Sequence, residues 1–138
     1  MRAAAVVRAS GIQTEWTVGR ESDQRALDAR FTVIVMAEAP ARLHSWRGAD
    51  VLGQAVPSLG RAYVYFDRIS RRVSTHRTIG DILGDVIAHE LGHLLLDGGH
   101  APAGIMRPAI QFASNAVETF TTDQRVAIER TLETVTDR

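Results

Sequence analysis

The chain has 138 residues, 45% of them hydrophobic, and balances 16 basic against 16 acidic residues. That length suits about one domain around one core, and the balance argues against bulk electrostatic attraction to nucleic acid or to an anionic membrane as the main activity. With no cysteine, disulfides, thiolate zinc sites and a cysteine nucleophile are excluded, so metal ligands must be His, Asp or Glu.

The N-terminal AAAVVRAS, followed by Gly11, predicts a short helix with a glycine stop. Arg8 breaks its apolar run too early for the apolar core of a signal peptide, and no window of the chain reaches the length of a membrane span. The expected location is therefore cytoplasmic by default, with secretion open to a chain from which a presequence has been removed. IQTEWTV then alternates Ile12, Thr14, Trp16 and Val18 on one face, as a strand does. FTVIVM, residues 31 to 36, is β-branched and nearly continuous, the pattern of a central strand buried on both faces. VLGQAVP reads as a short edge strand ended by Pro57, and RAYVYFDRI, residues 61 to 69, as a further strand.

From Thr78 the period changes to a helical one. Ile79, Ile82, Leu83, Val86, Ile87, Leu91, Leu94 and Leu95 recur at that spacing, with Thr78 and Asp81 in a capping relation. This predicts a helix of about five turns that stops near Asp97, before Gly98 and Gly99. A last helix is expected from about Thr122 to Val135, with Thr121 and Gln124 as a capping box and Val126, Ile128, Leu132 and Val135 partly buried. There is no internal repeat or low-complexity segment, and prolines 40, 57, 102 and 108 form no linker, so residues 1–138 read as one domain. The expected fold is α+β: a small twisted mixed sheet packed on an N-terminal helix and the long helix, with a C-terminal helix closing the domain.

The long helix carries HELGHLLLDGGH, which gathers three of the chain's five histidines into residues 89–100. His89 and His93 rise from one helix face a turn apart and can reach a common ion, which makes a zinc half-site. Catalytic zinc takes three protein ligands and leaves a fourth position for water. His100 follows a glycine pair at which the chain can fold back, and it is the expected third ligand; Asp97 is its competitor, since a carboxylate can replace histidine on zinc. Glu90, beside a ligand, is placed to take a proton from metal-activated water.

At these residues the chain resembles the zincin metallopeptidases, and among them the metzincins. HELGH matches their HExxH, and GIMRP, residues 104 to 108, is similar to the methionine turn that follows the third histidine and sets a methionine, here Met106, beneath the metal. VLGQAVP and AYVYFD resemble the edge strand and following strand of the matrixin type, and FTTDQRVAIERTLE its closing helix. The chain departs from HExxHxxGxxH in that Leu96 stands where the glycine is expected and His100 comes one residue late. A zincin of the glutamate type would use Glu118 or Glu129 instead, but neither sits in an ExxxD pattern.

The resemblance implies a zinc endopeptidase with one zinc on His89, His93 and His100, Glu90 as general base, and a peptide or protein substrate, with no nucleic acid or membrane partner. Its rivals are a zinc endoribonuclease and a zincin-like domain that binds without turnover. The small ribosomal-RNA-maturation endoribonucleases also cluster three histidines, but in an HGxxHxxGxxH pattern without the glutamate. Other residues have plain readings. Asp85, one turn before His89, is an exposed surface charge or an acceptor for a ligand imidazole. Tyr63 and Tyr65 share one sheet face in packing roles, with donation to a transition state as the alternative. Arg68, Arg71, Arg72, His76 and Arg77 form a solvated loop, with binding of an acidic partner or phosphates as the alternative, and His44 has no metal-ligand spacing.

Overall fold

The computed structural model describes residues 2–20, 30–43, 51–110 and 117–136. Among these it is a mixed α+β arrangement with a three-stranded sheet and four helices. Helix α1 (Arg2–Ala9) ends as expected, with Gly11 in the left-handed region at φ 78°. Residues 12–18 are not a strand. Ile12 is buried, but Val18 is 89% exposed, and no strand among the described residues pairs with this segment. Alternating apolar residues without a hydrogen-bonding neighbour do not make a strand.

Strands β1 (Thr32–Met36), β2 (Gly53–Val56) and β3 (Arg61–Tyr65) lie in the order β1-β3-β2, with β1 parallel and β2 antiparallel to β3. The run at residues 31 to 36 is thus an edge strand of the described sheet, with Val35 51% exposed, and β3 holds the centre with Ala62 and Val64 fully buried. β2 is the other edge, and Pro57 turns the chain out of it into a 3-10 turn, as the sequence suggests. β3 stops at Tyr65, earlier than expected, because Phe66–Ser70 coil into the short helix α2.

Helix α3 (Ile79–Leu95) begins at a complete capping box, in which the Thr78 hydroxyl accepts from the Asp81 amide and the Asp81 carboxylate accepts from the Thr78 amide. Those hydrogen bonds hold the Asp81 carboxyl below its ordinary pKa. Ile82, Val86, Ile87, Leu91 and Leu95 line its buried face, each worth roughly 1.5–3 kcal/mol of burial. The sheet packs on α3 through β2 and β3, whereas α1 packs chiefly against α3. α1 comes close because Gly84 has no side chain: a Cβ there would lie 2.9 Å from the Ala3 nitrogen.

Asp85 is neither exposed nor bound to an imidazole. It is 1% exposed and pairs with Arg2 from α1, at 2.7 Å, and with the equally buried Arg77 from the loop before α3. Removing one partner of a buried pair typically costs about 3–5 kcal/mol, so this triad ties both neighbours to the helix that carries the histidines. Arg77 is therefore not part of a solvated loop. Arg68 is not either, since its guanidinium donates to the carbonyls of Val51 and Leu43.

Helix α4 (Thr122–Thr136) starts at the expected reciprocal pair of Thr121 and Gln124. Ile128 is buried and Leu132 is half-buried, but Val126 is 42% exposed, contrary to expectation. His44 and the side chain of Val135 lie outside the described residues. No helix among the described residues is long and apolar enough to cross a membrane.

Candidate metal centre

The long helix brings His89 and His93 together one turn apart, with their Nε2 atoms 3.1 Å from each other. After Leu95 the chain leaves the helix. Leu96 adopts an ordinary extended conformation, φ −113° and ψ 133°, which needs no glycine. Gly98, at φ 126°, makes the turn instead, so the reversal is displaced along the chain and the extra residue before His100 is absorbed. The three imidazoles form a nearly equilateral triangle, with ring centroids 4.8, 5.2 and 4.9 Å apart.

One ligand atom from each histidine falls within 4.8 Å of the others, so His89, His93 and His100 could hold a metal ion. Asp97, Glu118 and Glu129 are not in this group. Asp97 is exposed, Glu118 pairs with Arg107 at 3.6 Å, and Glu129 is exposed on α4. The 3.1 Å separation also fits a hydrogen bond from His93 to His89 when no ion lies between them.

The tautomer of His89 is set from behind. Its Nδ1–H donates to the Ile105 carbonyl at 2.7 Å, which leaves the Nε2 lone pair directed at the cluster. Sequence reasoning missed Ile105, because any residue supplies a carbonyl. The only signal was its place inside GIMRP. That segment is held by hydrogen bonds from Ile105 to Thr119 and from Ala101 to Met106. Met106 is fully buried against α3 at Gly92, where a Cβ would overlap the Met106 sulfur.

Burial sets the protonation of this region. It lowers His89 to about 4, outweighing the Ile105 hydrogen bond, and it lowers His93, with His100 adding to the shift. It raises Glu90 to about 8. For the metal-free protein the two larger shifts pull in opposite directions. Unfolded His89 gains a proton below about 6.5 that the folded state refuses until about 4, so stability is lost as pH falls through that window. Folded Glu90 keeps a proton between about 4.5 and 8 that the unfolded state releases, so stability is lost as pH rises through that range. Chelator-treated protein should therefore weaken as pH rises from 6.5 to 8, where of these groups only Glu90 still titrates. Urea unfolding at a series of pH values checks this, and stability still rising between pH 6.5 and 8 would contradict it.

The three histidines and Glu90 open on a cleft of about 480 Å³ whose lining includes Val51 to Ala55, Arg72 and Pro108 to Ile110. Tyr63 and Tyr65 alternate onto one face of β3, as expected. Tyr65 is buried, its hydroxyl donates to Gln54 Oε1 at 3.5 Å, and burial, followed by the Glu90 charge, raises its pKa. Comparison with protein-family models, with curated proteins and with solved structures finds no match for this chain.

Proposed function

We propose that the chain is a zinc-dependent endopeptidase of metzincin-like type, with His89, His93 and His100 as the zinc ligands and Glu90 as the general base. The observation that carries this reading is the convergence of three imidazoles beside a buried carboxylate in one cleft. The donor set suits zinc: tetrahedral bonds of 2.0–2.1 Å put ligand nitrogens roughly 3.4 Å apart, near the 3.1 Å between the two helical Nε2 atoms. The chemistry that zinc supplies when bound is Lewis acidity, which activates water and polarises a scissile carbonyl.

The chain's own residues do the rest. The Ile105 carbonyl holds His89 in the tautomer that offers Nε2. Glu90 accepts the proton of the attacking water and returns it to the leaving amine. Burial alone keeps Glu90 protonated near neutral pH, and any cation on the neighbouring imidazoles favours its carboxylate. Glu90 also separates this reading from a ribonuclease of the HGxxH kind, which lacks a carboxylate at that position.

Strand β2 supplies the substrate's docking edge. The Leu52 carbonyl accepts from the Tyr65 amide, and Gln54 pairs with Tyr63, so the alternating ladder turns the amides and carbonyls of Gly53 and Ala55 outward. No strand among the described residues covers that edge. An extended peptide adds there by backbone hydrogen bonds, which makes side-chain selectivity modest. Proline at position 55 removes an outward amide without touching the ladder. Ala55→Pro is expected to lower kcat/KM on an unstructured protein by about tenfold, the value of roughly one hydrogen bond. A folded Ala55→Pro protein with unchanged kcat/KM would remove the strand-addition part of the proposal. Failure of the parent protein with zinc to cleave any unstructured protein, chelator-sensitively, would remove the peptidase reading.

A further inference from the structure

Gly53 is an unfavourable residue for its place. It opens β2 in a backbone conformation open to any residue, where glycine has high conformational entropy to lose and nothing to pack. Glycine in a strand is expected where another group approaches the backbone closely, and here that group is Glu90. A Cβ on Gly53 would lie 2.8 Å from both Cγ and Oε1 of Glu90, and 2.9 Å from the Tyr63 carbonyl oxygen.

Among the described residues nothing donates a hydrogen bond to Glu90. A glutamate side chain has three rotatable bonds, and what the described residues supply to hold its carboxylate is packing. Part of the surface it packs against is the bare backbone of Gly53, in the cleft lining next to the outward amides of β2.

We propose that Gly53 is a positioning residue for Glu90: by presenting no side chain, it seats the Glu90 carboxylate against the edge strand, inside the cleft lined by the histidines. The seating is a geometric property of the chain; its consequence for turnover rests on the reading of Glu90 as general base. A methyl group at position 53 meets both the Glu90 side chain and the Tyr63 carbonyl oxygen, and the carboxylate, at the end of a flexible side chain, is the group that moves furthest.

The test compares the parent with Gly53→Ala by crystal structure, zinc titration and hydrolysis of an unstructured protein. The expected result is a Glu90 carboxylate moved by more than ~1 Å with the β2–β3 ladder intact. Zinc affinity and KM should stay within about twofold, and kcat should fall between about tenfold and a hundredfold, the scale of a 1 Å misplacement. A carboxylate that stays in place, or a strand that shifts away from Tyr63 in its stead, overturns the proposal. If Gly53→Ala does not fold, Gly53→Ala combined with Glu90→Ala decides. That double variant folds if the Glu90 contact was the fault and overturns the proposal if it does not. An inactive parent, or a Glu90→Ala protein as active as the parent, defeats the peptidase reading alone, because the crystallographic comparison still reports on the seating.

Discussion

Glu90→Ala is expected to retain zinc at parental affinity and to lose peptide hydrolysis by ~10²–10⁴-fold, the usual loss on removing a positioned general base. The two effects separate because Glu90 stands next to a ligand without belonging to the histidine triangle. Its side chain lies against β2 at Gly53, so truncation opens space in the cleft wall and leaves the imidazole geometry to α3 and the Gly98 turn. Steady-state kinetics on an unstructured protein, paired with zinc titration, reads both. Activity equal to the parent's would end the mechanism, and lost zinc would make Glu90 part of the centre's support.

His100→Ala is expected to lose both zinc affinity and activity. Groups that merely orient a ligand change metal affinity about 10–100-fold when removed, so loss of a ligand should exceed ~100-fold. Asp97→Ala should stay near the parent in both, since Asp97 is exposed and outside the cluster. Titration of the two variants side by side checks this. Unchanged zinc affinity in His100→Ala with weak binding in Asp97→Ala would move the third ligand to Asp97.

The residues that were legible in the sequence are those whose partners are near in the chain. The Thr78–Asp81 and Thr121–Gln124 boxes fixed two helix starts because each is completed within three residues. His89, His93 and the glycine turn before His100 were legible for the same reason, since one helical turn and one reversal bring them together. Non-local pairing was not. The alternation of Ile12 to Val18 suits a strand, but a strand exists only beside a neighbour. The β-branched run at 31 to 36 reads as central, yet β3 took the centre, a matter of strand order that composition does not encode. Asp85 reads as a surface charge because neither partner stands at a helical spacing from it: Arg2 lies 83 residues away, and Arg77, eight residues before it, is outside the helix. The Ile105 carbonyl and the fit of Glu90 on Gly53 were hidden because backbone atoms carry no residue signature.

Whether the three histidines form one metal site is decided by zinc titration of chelator-treated protein at neutral pH. One tight equivalent per chain is expected, because burial keeps His89 and His93 neutral and able to coordinate. Absence of any tight equivalent in a folded protein would leave the imidazoles as a packed cluster with one hydrogen bond between His93 and His89, and would rule out the metal site.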